Sequence, residues 1–412
     1  VEKLLKIIIV IDEKNLEKLK ENAFDFFSTN SFSYSFHDHS FKTSLDEVNR
    51  KTLDERINEY KSYTVALNIN QNPRVIISLL SSIADEAAKI SLYEEASEYL
   101  QKALKKAKEE KFSYEEASIK SNLGVCYQNL GDINKALKYC EEAKKISKQI
   151  GDIEGVASSL GNIGVIYKIK GDLDKALNYH EESQKISKQI GNLEGIASSL
   201  NNIGNIYETK GDLDKALNYY EKSQKIYKQI GNLQNIANSL GNIGNIYQIK
   251  GDLDKALNHY EEAQKIFKQI GNLQGVANSL GNMGSIYQIK GDLDKALKFY
   301  EEAQKINKQI GNLQGVANSL NNIGNIYRAK DILNKALNYY EESQKIYKKV
   351  GVLSGLANSL GNMGNTYKEK NEPQKAIRYL NEAAIIFKEL EDEKNYNSIT
   401  LTIKELKEKD EI

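Results

Sequence analysis

Gly241–Leu280 reads GNIGNIYQIKGDLDKALNHYEEAQKIFKQIGNLQGVANSL, and the next tract, Gly281–Leu320, repeats it with five changes. The same frame runs back to about residue 77 and forward to about residue 396. It gives eight units, at 77–116, 117–156, 157–196, 197–236, 237–276, 277–316, 317–356 and 357–396, of which the first and last diverge most. An ordinary chain of 412 residues suggests two or three globular domains. A fixed period overrides that prior, because stacked units share one continuous core and only the end units face solvent or a cap.

Within one unit, Ala237, Leu240, Ile243, Gly244, Ile246 and Tyr247 form one wide apolar face of a helix. Gly251 is placed to stop that helix with a left-handed backbone, and Asp252 to cap a second one, with Asp254 at its positive end. Leu253, Ala256, Leu257, Tyr260, Ala263, Ile266, Phe267 and Ile270 are the apolar positions of the second helix. Gly271 ends it and Asn272 caps the next first helix. Loops this short force antiparallel neighbours. Glycine inside a helix costs about 1 kcal/mol against alanine. Its return at Gly124, Gly164, Gly204, Gly244, Gly284, Gly324 and Gly364 therefore implies a packing requirement in every unit.

The run NIGNIY at 242–247 with Gly251, Ala256, Tyr260 and Ala263 resembles the tetratricopeptide repeat signature. The usual unit has about 34 residues and often ends in proline; here it is longer and that proline is absent. The chain is thus similar to the long-unit subfamily, as in Pins-type adaptors, kinesin light chains and Rap-type receptors. The resemblance implies an all-α fold, an α-solenoid forming a right-handed superhelix of about eight helical hairpins. First helices would line its concave groove and second helices its convex back.

The flanks differ from the array. Residues 1–76 read as a non-repeat, mostly helical cap segment. Leu4–Ile11 is a strand or part of a helix, Asn15–Phe27 and Leu45–Leu67 have helical spacing, and Ser28–Phe41 reads as a loop. Asn72-Pro73 is a helix start. Residues 397–412 read as a capping helix with Ile399, Ile403 and Leu406 turned inward. With 57 basic and 57 acidic residues, the formal net charge is zero. That balance argues against nucleic acid and an anionic membrane as partners. Two cysteines make no disulfide framework and point to a reducing, cytoplasmic setting. The apolar run Ile7–Ile11 is too short to span a bilayer, and no signal-peptide cleavage site follows it. Residue 1 is Val, which leaves open a larger protein carrying this array as its sensor arm.

The first helices repeat asparagine along what would be the groove. One row is Asn122, Asn162, Asn202, Asn242, Asn282, Asn322 and Asn362; a second is Asn205, Asn245, Asn325 and Asn365; a third is Asn238, Asn278, Asn318 and Asn358. Gln248 extends the stripe. Between them stand Gly161, Asn201, Gly241, Gly281, Asn321 and Gly361. An amide offers both donor and acceptor, so such a ladder matches the N–H and C=O groups of an extended peptide backbone. In the resembled family the corresponding asparagines hold a peptide, which implies a peptide-binding groove here. The alternative is that these asparagines bond within the array and recur only because the unit was duplicated. Ile169, Ile249 and Ile289 are expected as pocket walls, with Tyr207, Tyr247 and Tyr287 below. Relatives that clamp acidic chaperone tails carry Lys or Arg at groove positions where this chain has Gly, Asn, Ser and Val, which argues against that ligand. Charges near the groove are Lys168, Glu208, Arg328 and Lys368.

Second helices carry Glu and Lys stripes, with Glu261 and Lys265 spaced as an i,i+4 pair. Cys126 and Cys140 occupy core positions. His37 and His39 flank Asp38 without a third metal ligand, while His180 and His259 replace tyrosines of neighbouring units. No phosphate loop, zinc-protease motif or nucleophile elbow occurs. The expectation is a non-enzymatic interaction scaffold without cofactor or metal, binding a peptide or partner protein. A peptide-sensing signalling regulator of Rap-like type stands as the alternative.

Overall fold

A computed structural model describes residues 72–89 and 93–410. The chain divides into two units, Val1–Ser62 and Tyr63–Ile412, and the described residues belong to the second. The elements expected at Leu4–Ile11, Asn15–Phe27 and Leu45–Leu67, the loop at Ser28–Phe41 and the His37/His39 pair lie outside the described residues.

Every element among the described residues is a helix. Eight antiparallel hairpins follow one another: α1 (Pro73–Lys89) with α2 (Tyr93–Glu109), α3 (Ser113–Asn129) with α4 (Ile133–Ile150), α5 (Ile153–Ile169) with α6 (Leu173–Gln189), and α7 (Leu193–Thr209) with α8 (Leu213–Ile230). Then come α9 (Leu233–Ile249) with α10 (Leu253–Gln269), α11 (Leu273–Ile289) with α12 (Leu293–Gln309), α13 (Leu313–Ala329) with α14 (Leu333–Val350), and α15 (Leu353–Glu369) with α16 (Pro373–Glu389). A last helix, α17 (Glu393–Asp410), packs on α16. It starts four residues before Asn397 because Asp392 caps it, accepting from the Asn395 N–H at 3.1 Å. The result is an all-α solenoid.

Local chemistry sets each hairpin. Gly251 turns the chain with φ +81°, and Asp252 accepts the Lys255 N–H at 3.2 Å to cap α10. Asn272 accepts the Gly275 N–H at 2.8 Å to cap α11. Each such cap contributes about 1 kcal/mol. Asp252 also pairs with Lys255 Nζ at 2.8 Å, and that ammonium lies 5.1 Å from the Tyr247 ring, itself stacked on His259. The same motif recurs at Asp172–Lys175–Tyr167, Asp212–Lys215–Tyr207 and Asp292–Lys295–Tyr287.

The core runs along the stack. Leu240, Ile243 and Ile246 from α9 are at most 2% exposed, each contributing about 1.5–3 kcal/mol of transfer free energy. Leu240 is buried with Ala256, Tyr260 and Ala263 of α10, while Ile243 and Ile246 pack against Ala216 and Tyr220 of the preceding hairpin. The recurring helix glycines have the packing role their pattern implied. A Cβ at Gly244 would sit 2.7 Å from the Tyr260 ring, and Gly204, Gly284 and Gly324 meet Tyr220, Tyr300 and Tyr340 in the same way.

Neighbouring hairpins are joined at separate points of each interface. Lys210, Lys250 and Lys290 pair with Asp174, Asp214 and Asp254 of the preceding hairpin at 2.5–2.6 Å, and Lys330 pairs with Asp294. At the turns, Asn272 and Asn312 donate from Nδ2 to Gln234 and Gln274 at 2.8 and 2.6 Å. The Glu261–Lys265 pair expected from spacing does not form; between hairpins it is Lys250 and Lys290, at the turns, that pair with carboxylates of the preceding hairpin.

An amide-lined face as candidate functional site

First helices of successive hairpins touch one another, as α3 with α5, α5 with α7 and α13 with α15. The predicted asparagines lie on these helices, and their rows have different surroundings. In the row of Asn205, Asn245 and Asn325, each Oδ1 accepts the hydroxyl of the buried tyrosine of its own hairpin, Tyr220, Tyr260 or Tyr340, at 2.7 Å. Burial raises all three phenols, to about 12 at Tyr340, so the hydroxyls stay protonated and donate. These amides hold hairpins together. Asn365 lacks this bond because Leu380 stands where the tyrosine would be.

The row of Asn162, Asn242 and Asn362 bonds across hairpins. Their Nδ2 groups donate to Ser121, Asn201 and Asn321 of the preceding hairpin, at 3.0, 3.1 and 3.2 Å. Asn202, Asn282 and Asn322 occupy the same position and have no hydrogen-bond partner among the described residues. The reason is the preceding hairpin, which offers Gly161, Gly241 and Gly281 there. A Cβ at Gly241 or Gly281 would meet nothing within 4 Å, so packing does not require these two glycines. They leave the next amide unpartnered.

In the exposed row, Asn238 bonds Gln234 and Asn235 on its own helix, Asn278 accepts from Gln274 at 2.9 Å, and Asn318 accepts the Tyr347 hydroxyl. Asn358 is exposed. Gln248 links hairpins, donating to Ser285 Oγ at 3.2 Å while its Oε1 accepts from Tyr260.

A concavity of about 700 Å³ opens between α11, α12 and α13. It brings together Asn278, Asn282, Asn318 and Asn322 with Ser285, Gln288 and Ile289, over a floor that includes Tyr300, Ala303 and Asn307. Every lining residue is uncharged. Ile249 and Ile289 are 59% and 57% exposed, and Ile289 is a wall as expected. Tyr287 is not beneath it: that ring stacks on Phe299 at the hairpin turn, and Tyr300 takes its place. Asn307 was invisible to a reading that assigned second helices to the back. Its signal is present, however, because Phe267 against Asn307 is one of the five differences between the two most alike tracts.

Three of the four charges expected near the groove are engaged. Glu208 accepts the Tyr220 hydroxyl at 2.5 Å, Arg328 lies 3.8 Å from Glu369, and Lys368 pairs with Glu405 at 3.4 Å. Burial pushes the thiols of Cys126 and Cys140 up to about 11 and about 12, which keeps them protonated and inert. Among the described residues, no group of His, Cys, Asp and Glu is arranged to hold a metal ion. No described helix is long and apolar enough to cross a membrane.

Stacked two-helix hairpins with polar first-helix faces define a helical-repeat protein. The chain belongs to the tetratricopeptide repeat family, whose profile matches at residues 115–189, 155–229, 195–269, 235–309, 275–349 and 315–389. No curated protein sequence matches it. Among solved structures it is similar to a signal transduction ATPase with numerous domains and a tetratricopeptide repeat sensor from Pyrococcus horikoshii, at 17% identity and TM-score 0.57. That match covers 87% of this chain and 55% of the other, so the chain spans about half of that ATPase. It is also similar to a Rap protein complexed with competence and sporulation factor, at 14% identity and TM-score 0.52, covering 81% and 98% of the two chains. The apo form of RapI matches at 16% identity and TM-score 0.50, covering 65% and 96%. At these identities the likeness concerns the fold.

Proposed function

We propose that this chain is a non-enzymatic interaction module that binds an extended peptide segment of a partner protein along the first-helix face. The observation that carries this reading is the set of unpartnered amides at Asn202, Asn282 and Asn322, each beside a glycine that packing at Gly241 and Gly281 does not require. An unpartnered amide gives a peptide backbone both a donor and an acceptor. The other groove asparagines, Asn162, Asn205, Asn238, Asn242, Asn245, Asn278, Asn318, Asn325, Asn358, Asn362 and Asn365, with Gln248, form the surrounding polar wall in this proposal. The uncharged lining around α11–α13 gives no counter-charge to nucleic acid, anionic lipid or an acidic chaperone tail.

The test compares two triple variants in affinity capture followed by peptide mapping of what binds. N202A/N282A/N322A removes the unpartnered amides and is expected to weaken capture roughly tenfold or more while leaving thermal stability near wild type. N205A/N245A/N325A removes one acceptor from each buried tyrosine, leaving Glu208 to Tyr220 and Gln248 to Tyr260, and is expected to lower stability by about 1–3 kcal/mol at Tyr340 and by less at the other two sites. Unaltered capture by the first variant sinks the peptide-groove reading.

A second reading is a peptide-sensing regulator of Rap-like type, or the sensor arm of a larger protein. It draws on the fold shared with a Rap–factor complex and with a sensor-bearing ATPase, and with it goes assignment to the long-unit subfamily. A bound peptide would then change the spacing of the hairpins, read as a shift in scattering radius. An unchanged scattering profile at saturation counts against it.

A further inference from the structure

We propose that the concavity between α11, α12 and α13 is an anchor pocket for an asparagine or glutamine side chain of the bound peptide, and that Asn307 sets this preference. The proposal rests on the groove reading above and adds the identity of the anchoring side chain.

The pocket has an identifiable origin. At this position the second helices carry Tyr227, Phe267, Tyr347 and Phe387, and earlier in the array Ser147 and Ser187. Phe267 and Tyr347 lie with their rings against Gly275 and Gly355, at the start of the next hairpin. The sixth hairpin replaces the ring by Asn307, opposite the matching glycine Gly315 of the seventh, and both residues line the concavity. Asn307 thus stands against its glycine where the two flanking hairpins place an aromatic ring, and it is shorter than either ring. Of the five differences between Gly241–Leu280 and Gly281–Leu320, two, Ser285 and Asn307, line this space.

The chemistry of the lining selects the anchor. Asn307 is only 4% exposed. Its Oδ1 accepts from Asn312 Nδ2 at 3.0 Å, and its own Nδ2 has no partner among the described residues. Asn282 and Asn322 reach the same space with their amides unpartnered. A charged side chain entering here loses hydration and finds no opposite charge. An aliphatic side chain leaves the Asn307 donor and the two amides unpaired. A carboxamide supplies an acceptor for Asn307 Nδ2 and a donor for the amide oxygens. A volume of about 700 Å³ also admits the flanking backbone.

The experiment selects a phage-displayed random heptapeptide library on three immobilised targets: the full chain, Asn307→Phe, and N202A/N282A/N322A. Asn307→Phe restores the ring of neighbouring hairpins opposite Gly315, so helix content and melting temperature are expected at wild-type level. The proposal predicts Asn or Gln enriched at one peptide position on the wild-type chain, with those peptides binding Asn307→Phe at least roughly tenfold more weakly. If Asn307→Phe misfolds, Asn307→Asp is the second variant. It keeps the volume, replaces the donor by an acceptor, and should weaken the same peptides by a similar factor. Peptides that bind both Asn307 variants like wild type but lose binding to the triple variant overturn the anchor and leave the groove standing. Enrichment of Asp, Glu, Lys, Arg or an aliphatic residue at an Asn307-dependent position overturns the ligand class. No enrichment, or binding indifferent to every variant, overturns both proposals.

Discussion

Gly241 and Gly244 lie one helical turn apart, yet their substitutions should act in opposite directions. Alanine at 244 places a Cβ 2.7 Å from the Tyr260 ring, and the expected cost is about 1–3 kcal/mol in urea unfolding. Alanine at 241 meets nothing within 4 Å, and the gain in helix propensity is expected to stabilise by up to about 1 kcal/mol. Shifts of the same sign would break this separation of packing glycine from groove glycine. His180 gives a second residue-scale prediction. It is 1% exposed, its Nδ1 has no hydrogen-bond partner, and burial together with Lys168 holds its pKa down to about 4 against an ordinary 6.5. The buried form is neutral. Its contribution is therefore fully present above pH 6.5 and is lost as pH falls toward 4, amounting to about 2 kcal/mol at pH 5. His180→Phe should remove that dependence, seen as a smaller drop in melting temperature between pH 7 and pH 5; an identical drop would refute it. Residue identity alone separated these roles only in part. Gly244 was legible because glycine within a helix needs a reason. The partners of Asn162, Asn242 and Asn362 were not, because they depend on the residue forty-one positions earlier, which no helical periodicity reveals.

Hairpins were the most legible elements, since glycine turns, Asp and Asn caps and apolar spacing all agree within each unit. Links between hairpins were hidden. Asp254 suits a helix N-terminus by itself, but it also pairs with Lys290, thirty-six residues on, at 2.5 Å. The aspartates of these links are 84–88% exposed where the lysines are 31–37% exposed. Each pair is therefore worth at most about 1 kcal/mol and is screened by salt. Their effect belongs to coupling between neighbours, because stability in a repeat array combines intrinsic and interface terms. Replacing Asp174, Asp214, Asp254 and Asp294 together by Asn should broaden thermal unfolding more than it lowers the midpoint. High salt should do the same to the wild-type chain. A transition as sharp as wild type would mean that the apolar interfaces alone carry the coupling.

For the molecule as a whole, the period itself is a design constraint. Removing Gly241–Leu280 joins Leu240 to Gly281 with every cap and inter-hairpin offset intact. The shortened chain is expected to keep its helicity per residue by circular dichroism and to unfold at lower denaturant. Removing only Gly241–Tyr260 should disrupt the stack, because first and second helices would meet out of order. A cooperative fold in that shorter deletion would contradict the hairpin as the stacking unit. The sequence records the departure of the repeated face from regularity only as one of five differences between two tracts, because a single ring replaced by Asn307 changes one pocket without disturbing the period. The near-identity of the two adjacent tracts has a further consequence in folding. A chain collapsing from the unfolded state meets two docking surfaces of nearly the same affinity, and a hairpin taken up by the wrong neighbour, or by another molecule, is a trap characteristic of repeat proteins. Only Met283, Ser285, Lys298, Phe299 and Asn307 distinguish the second tract from the first. Refolding from urea should therefore yield less native protein as chain concentration rises, and a chain with both tracts diversified at exposed positions should recover more fully.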